Sequence, residues 1–141
     1  MNQNQTSTNE AQIHELVESW ATAVRNKDME AILAHHAPDL LMFDVPPPLQ
    51  LKGIEAYQAS WSKFFPWLER GGAFEVSDIS VTTGSDVAFC HALIHCGHPR
   101  SSGRKDDLTV RLTMGFKQMN GDWTIVHEHH SVSAEEGSEL V

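Results

Sequence analysis

The stretch that decides the fold is Asn120-Gly121-Asp122-Trp123-Thr124-Ile125-Val126-His127-Glu128-His129-His130-Ser131. Asn120 and Gly121 both tolerate a positive φ, and such a pair between two alternating segments predicts a tight β-hairpin. The residues that follow alternate between the two faces of one strand. The face that begins with large apolar side chains is predicted to point toward the core, and it carries Trp123, Ile125, His127, His129 and Ser131.

Upstream of this hairpin the period of two extends back to Phe74 and predicts an antiparallel meander of four strands. A turn is expected at 84–86, and a loop rich in Gly, Pro and Ser is expected after Cys96. Cys90 and Cys96 share one predicted strand, where ~3.3 Å per residue places them roughly 20 Å apart. Because they cannot bridge each other at that distance, we expect free thiols, as in a reducing compartment.

The first helix is predicted from apolar side chains at helical spacing over residues 13–24. Thr8 or Asn9 is available to cap its start. Residues 1–8 are polar, uncharged and without periodicity, so we expect a disordered tail there.

Two more helices and a strand are predicted before residue 74. Asp28 can cap a short second helix, whose inner face would end at His36 before a proline stops it. A strand over 40–45 ends at the three prolines of 46–48, which lack backbone donors. An aromatic third helix is expected over 54–68.

This order of elements predicts an α+β fold, with three N-terminal helices packed on a curved, mainly antiparallel sheet. The 141 residues, of which 40% are hydrophobic, are enough for one core and too few for two ordinary domains. We therefore expect one domain over 9–133, followed by a solvated acidic tail over 134–141.

The net charge of the chain limits the classes of partner that it is expected to bind. Only 10 Lys and Arg face 19 Asp and Glu, for a formal net charge of -9. Binding to nucleic acid or to an anionic membrane needs a basic surface, so neither is expected. The start of the sequence is neither basic nor apolar, and no run is long and apolar enough for a membrane span, so a cytoplasmic protein is expected.

The order of elements and several motifs together resemble the SnoaL-like branch of the nuclear-transport-factor-two-like superfamily, over about residues 10–132. The motifs are Trp20, Phe43-Asp44-Val45-Pro46-Pro47 before Gly53, the aromatic third helix, Arg111-Leu112-Thr113, and the final strand. The resemblance implies a cone-shaped barrel with one open pocket for a small apolar or aromatic molecule, no cofactor, and a homodimer formed through the sheet. The branch is chemically diverse, so the resemblance does not name a reaction.

A comparison with ketosteroid isomerase, a member of this superfamily, can be made residue by residue. The resemblance places the family's general-base aspartate at Asp44, its oxyanion-hole tyrosine at Trp20, and its second donor near Thr113 or Met114. Only the base is retained. One oxyanion donor stabilises a transition state by ~3–4 kcal/mol, so the loss of these donors argues against steroid isomerisation by that mechanism.

Asp44, His127 and His129 are the candidate catalytic residues. Asp44 in an apolar pocket would be a general base, with a turn-capping or Arg111-pairing carboxylate as the alternative. His127 and His129 would act in acid–base catalysis, as pocket histidines do in dehydratases of this superfamily, or would be hydrogen-bonded core residues. A His-x-His pair on a strand can also chelate a metal, but the sequence supplies no third ligand and no metal is predicted.

The pocket is expected to be aromatic on the helix side and polar on the sheet side. Its predicted lining residues are Trp20, Phe43, Trp61 and Phe65 from the helices and first strand, and Arg111, Thr113 and Ser131 from the sheet. The aromatic residues could instead be plain core. Two functions remain open at this point: a cofactor-independent isomerase, dehydratase or cyclase, or a non-catalytic module that binds a ligand or dimerises.

Overall fold

The computed structural model describes residues 2–97 and 108–134, and within them helices pack against one mixed sheet. The helices are α1 (Gln3–Arg25), α2 (Met29–Leu33) and α3 (Ile54–Glu69). The strands are β1 (His36–Phe43), β2 (Leu51–Lys52), β3 (Ala73–Thr83), β4 (Val87–Gly97), β5 (Leu108–Met119) and β6 (Asp122–Ser131). The predicted α+β fold is confirmed, with the strand order β2-β1-β6-β5-β4-β3. All neighbouring strands are antiparallel except β1 and β6, which are parallel.

The first helix starts earlier than the sequence predicted. Asn2 caps it, because its side chain accepts a hydrogen bond of 2.8 Å from the backbone N–H of Gln5. Residues 3–8, expected to be a disordered tail, therefore form the first turns of α1. Asn9, one of the two expected caps, lies inside the helix, where its buried side chain donates to the carbonyl of Gly84 at 3.4 Å. No described helix has the combination of length and apolar character that crossing a membrane requires.

The second helix is shorter than predicted, and the first strand begins sooner. Asp28 does cap α2, since its carboxylate accepts from the N–H of Ala31 at 3.2 Å. The helix ends at Leu33, and His36, expected on its inner face, instead opens β1. Pro38 fits within β1 because the regular pairing with β6 is interrupted between His36 and Leu41, where a missing backbone donor costs little.

A β-bulge in β6 decides which of its side chains face the core. The hairpin itself is confirmed: Asn120 and Gly121 have φ of 55° and 85°, and the strands pair from the residues on either side of them. Further along, Phe116 pairs with Ile125 whereas Gly115 pairs with His127, so Val126 is an extra residue on β6. An extra residue exchanges the two faces of the strand beyond it.

The burial of β6 follows this exchange. Trp123 and Ile125 are buried before the bulge, and Glu128 and His130 are buried after it. The predicted inward facing of His127, His129 and Ser131 is therefore wrong. That prediction requires a period of exactly two through the whole strand, and the one extra residue reverses the two faces beyond it.

The hydrophobic core lies between α1, α3 and the inner face of the sheet. Its centre is an aromatic cluster in which Trp20, Trp61 and Phe74 meet edge to face, with ring centroids 5.7–6.0 Å apart. Such packing buries large side chains and adds a favourable edge-to-face interaction. Cys90 and Cys96 both lie on β4 and are free thiols, as predicted. The predicted Gly-, Pro- and Ser-rich loop and the acidic tail fall almost entirely on 98–107 and 135–141, outside the described residues.

Candidate active site

A cavity of about 420 Å³ lies between α3 and the inner face of the sheet. Most of its walls are apolar or aromatic side chains, which suits the body of a small hydrophobic molecule. The lining residues are Met42, Asp44, Val45, Pro46, Ser60, Trp61, Lys63, Phe64, Trp67, Phe74, Ile94, Cys96, Leu108, Val110 and His130.

Asp44 and His130 are neighbouring ionisable residues in the cavity wall. Asp44 directly follows β1 and His130 lies near the end of β6, so the parallel pairing of these strands brings the two residues together. The Nδ1 atom of His130 is 4.0 Å from Oδ1 of Asp44, and their side chains are 7% and 21% exposed. Asp44 also accepts a hydrogen bond of 2.8 Å from the N–H of Val45, which fixes its carboxylate at the end of the strand.

Behind His130 lies a fully buried carboxylate, Glu128. One of its oxygens, Oε1, accepts from Nε2 of His130 at 2.9 Å. The other, Oε2, accepts from the hydroxyl of Tyr57 at 2.6 Å and from Nε2 of His36 at 2.5 Å. Tyr57 in turn accepts from Nε1 of Trp20 at 2.9 Å. We call these five residues the Glu128 network.

Glu128 is held as an anion although water does not reach it. Burial alone would raise its pKa, but hydrogen bonds from His130 and His36, together with the charge on His36, outweigh burial and lower it to about 2. Both nitrogens of His36 face acceptors, since Nδ1 is 3.1 Å from the carbonyl of Ala34. A carbonyl only accepts, so His36 carries both protons when both bonds form, and it neutralises Glu128.

Tyr57 stays a neutral phenol within this network. Burial, followed by the adjacent Glu128 charge, raises its pKa well above 10. The hydroxyl therefore keeps its proton and donates it to Glu128, while its lone pair accepts from Trp20. Trp20, expected to line the pocket, uses its only N–H on Tyr57 and is not among the lining residues.

The aromatic wall differs in two places from the sequence prediction. Trp61 does line the cavity, but Phe64 and Trp67 line it in place of the predicted Phe65. Phe43 lies on the outer face of the sheet. Its ring packs edge to face against the rings of His127 and His129, with centroids 5.0 and 5.3 Å apart. This position is expected from the alternation of side chains along β1. Met42 is buried and faces the core, so the next residue, Phe43, faces the outer side of the sheet.

Arg111 and Thr113 also lie on the outer face and do not line the cavity as predicted, so the alternative in which Arg111 pairs with Asp44 does not hold. The inward positions of β5 are Val110, Leu112 and Met114, which alternate with them. Arg111 is exposed and donates to Ser131 Oγ at 3.1 Å and to the carbonyl of Val132 at 2.8 Å. Its charge is solvated and needs no buried partner.

His127 and His129 lie outside the cavity. The ring of His127 is half-buried and donates through Nδ1 to the carbonyl of Leu41 at 2.7 Å, which ties β6 to β1. His129 is exposed, and the two rings are 6.4 Å apart. Across residues 2–97 and 108–134, no three His, Cys, Asp or Glu side chains are grouped closely enough to hold a metal ion.

Sequence reasoning missed Glu128, His130, His36 and Tyr57. The signal that could have found two of them is Gly115, an isolated glycine within the strand opposite β6. Such a glycine is a sign of a bulge, and a bulge would have moved Glu128 and His130 to the inner face. Nothing local marks His36 or Tyr57, because they reach Glu128 from 92 and 71 residues away.

The fold defines a class: small α+β proteins in which helices pack against a six-stranded mixed sheet. The family model for the SnoaL-like domain matches residues 13–135. The chain belongs to this SnoaL-like family, within the NTF2-like superfamily. No curated protein matches the chain.

Solved structures agree with this assignment. An NTF2-like protein of unknown function from Pseudomonas putida KT2440 is 30% identical with a TM-score of 0.81, over 93% of this chain and 91% of that one. A suggested dehydratase of the NTF2-like family from Streptomyces avermitilis is 15% identical with a TM-score of 0.69, over 89% and 96% of the two chains. A suggested ketosteroid isomerase from Shewanella frigidimarina is 16% identical with a TM-score of 0.68, over 83% and 92%. At 15% and 16% identity, the last two structures show only that their fold is the same as that of this chain.

Proposed function

We propose that the cavity binds a small apolar or aromatic molecule and that Asp44 and His130 act on it as an acid–base pair. The reaction would be an isomerisation, dehydration or cyclisation that needs no cofactor. The observation that carries this proposal is the 4.0 Å approach of His130 Nδ1 to Asp44 in the wall of a largely apolar cavity. His127 and His129, first candidates from the sequence, are replaced by His130 in this role.

Two proton-transfer groups at this spacing can serve one substrate. The group that takes a proton from carbon becomes an acid, and it can return that proton to a second carbon or to a departing hydroxyl. A positioned acid or base of this kind contributes about 10²–10⁴-fold to a rate. Glu128 supports His130 from behind, as a carboxylate orients a catalytic imidazole in other enzymes. Ketosteroid isomerisation is outside the proposal, because Trp20 donates to Tyr57 and Thr113 is exposed.

The proposal can be tested without knowing the natural substrate. The probe 5-nitrobenzisoxazole opens when a base removes its C3 proton: the N–O bond breaks, and the coloured 2-cyano-4-nitrophenolate forms. We expect the wild-type protein to accelerate this reaction, and Asp44→Asn and His130→Gln each to lower kcat/KM by about 10². His129→Gln, on the outer face of the same strand, is the matched control and should retain the wild-type rate. Equal rates for all four proteins would refute the acid–base proposal.

The second candidate function is a binding module without catalysis. It is favoured by the cavity itself, whose walls are mainly aromatic and aliphatic and whose two indoles, Trp61 and Trp67, report binding. In that case the probe should quench tryptophan fluorescence and raise Tm while no phenolate is released. Failure of the probe to quench, to stabilise and to react would count against both functions of the cavity.

We further propose that two copies associate through the outer face of the sheet. Supporting this, the outward residues of β4 include Val87 and Phe89, which are 53% and 46% exposed, and apolar side chains at such a density favour a partner surface. Phe89→Asp should lower the mass measured by sedimentation from dimer to monomer. Leu49→Asp, at an exposed apolar residue outside the strands, is the control. A monomeric wild-type protein at 50 µM would refute the dimer.

A cytoplasmic location is also proposed, and the two free thiols of β4 support it, since reduced cysteines persist in reducing compartments. Cell fractionation with a tagged chain tests this. Recovery of the tagged chain in the soluble cytoplasmic fraction is expected, and recovery elsewhere would contradict the location.

A further inference from the structure

We propose that the cavity selects ligands that carry a hydroxyl or N–H donor, because the Glu128 network makes His130 an acceptor beside the acceptor Asp44. This inference rests on the proposed pocket and names the chemistry of its ligand. It differs from an oxyanion hole, in which the protein supplies donors to a ligand oxygen.

The direction of the hydrogen bonds follows from the donor inventory of the network. Trp20 has only an N–H, so it must donate to Tyr57, and the Tyr57 hydroxyl must then donate to Glu128. His36 donates to the same carboxylate oxygen. Glu128, fully buried and surrounded by three donors, only accepts.

The proton of a neutral His130 is therefore fixed on Nε2, which donates to Glu128 Oε1 at 2.9 Å. Its Nδ1 is left with a lone pair. Within the described residues Nδ1 makes no hydrogen bond, and Asp44 Oδ1 lies 4.0 Å from it, which is too far for one. Nδ1 and Asp44 thus form a pair of neighbouring acceptors.

One ligand donor placed between these two atoms can approach both of them at hydrogen-bond distance. The other polar groups of the wall do not compete for it. The Ser60 hydroxyl is used on the carbonyl of Tyr57 at 2.6 Å, and Lys63 is exposed. Burial raises the pKa of the Cys96 thiol to about 11, so it stays neutral. A ligand carboxylate or ether oxygen placed at the acceptor pair would face lone pairs only.

The first test measures where the proton of His130 lies. Long-range ¹H–¹⁵N spectra of the ¹⁵N-labelled protein at pH 8, where an ordinary imidazole is neutral, distinguish a protonated Nε2 from a protonated Nδ1. Loss of signals in His130→Gln assigns the residue. We expect the Nε2–H form, and an Nδ1–H form would overturn the inference.

The second test measures ligand preference by quenching of tryptophan fluorescence at pH 8. The probes are p-cresol, which has a donor, and 4-methylanisole, which has the same ring and an oxygen without one. We expect the wild-type protein to bind p-cresol at least tenfold more tightly, or about 1.4 kcal/mol. A ratio below twofold, or no binding of p-cresol, overturns the inference.

Glu128→Gln tests whether the network sets this preference. The amide can donate to Nε2, which would move the proton of His130 to Nδ1 and reduce the cresol preference toward one. Glu18→Gln, at an exposed glutamate paired with His14, is the matched control and should keep the wild-type ratio. An unchanged ratio in a folded Glu128→Gln protein contradicts the role of the network. If that variant does not fold, the ¹H–¹⁵N spectra of the wild-type protein and its ratio of affinities for the two probes still test the inference.

The two proposals fail in different ways. A protein that opens the benzisoxazole but binds both cresol probes equally loses only the donor preference. A protein that prefers p-cresol but leaves the benzisoxazole intact loses only the acid–base reaction.

Discussion

Replacing Glu128 with glutamine should weaken the protein by an amount that depends strongly on pH. The pKa of Glu128 falls from its ordinary 4.5 to about 2 on folding. At about 1.36 kcal/mol for each tenfold change in proton affinity, this difference corresponds to about 3 kcal/mol. Because the folded pKa is the lower one, this stability is present above pH 4.5 and is lost as the pH falls toward 2.

Urea unfolding followed by circular dichroism at pH 7, 5 and 3 measures this effect. At pH 7 we expect Glu128→Gln to lose about 3 kcal/mol, or roughly 10 °C in Tm, from a total of about 5–15 kcal/mol. The difference in unfolding free energy between the variant and the wild-type protein should shrink at pH 3, because the wild-type protein loses the stability that the ionised Glu128 provides. Glu18→Gln also removes a glutamate next to a histidine, but on an exposed surface, and should change the free energy of unfolding by less than about 1 kcal/mol at any pH. Parallel pH profiles for wild type and Glu128→Gln would refute the assignment of a buried, ionised carboxylate.

Three further substitutions test separate parts of the structure. Tyr57→Phe should cost about 1–3 kcal/mol in urea unfolding, because the N–H of Trp20 and an oxygen of Glu128 lose their partner. Gly72→Ala places a Cβ only 2.4 Å from the ring of Trp67, so we expect the ring to move, the tryptophan emission to shift, and about 1–3 kcal/mol to be lost. Arg111→Gln should change stability by less than about 0.5 kcal/mol, and a loss of several kcal/mol would mean that this arginine has a buried partner after all.

Local signals in the sequence predicted the elements of the fold well. The hairpin at Asn120 depends on two adjacent residues that accept positive φ, and Asp28 caps its helix through an N–H three residues away. Such interactions involve residues close together in the chain, so a short sequence pattern is enough to predict them. The start of α1 was missed because Asn2, a good cap, precedes residues that lack an apolar face.

The candidate site was predicted only in part, because its position depends on the register and pairing of distant strands. Asp44 was found from the end of the first strand and the family resemblance. His127 was chosen over Glu128 and His130 because strict alternation was carried through β6, and the bulge at Val126 reversed it. Arg111 and Thr113 are predicted to line the pocket, but Leu112 and Met114, on the opposite face of β5, are the buried residues.

The parallel pairing of β1 with β6 has a consequence for the order in which the protein can fold. His36 on β1 meets Glu128 on β6 across 92 positions of sequence, and β6 is inserted between β1 and β5. During synthesis, the edges of β1 and β5 that pair with β6 therefore stay open until β6 has been made. An intermediate without β6 would hold Asp44 and most of the aromatic wall but neither Glu128 nor His130. The acid–base pair therefore forms in the same step that closes the sheet.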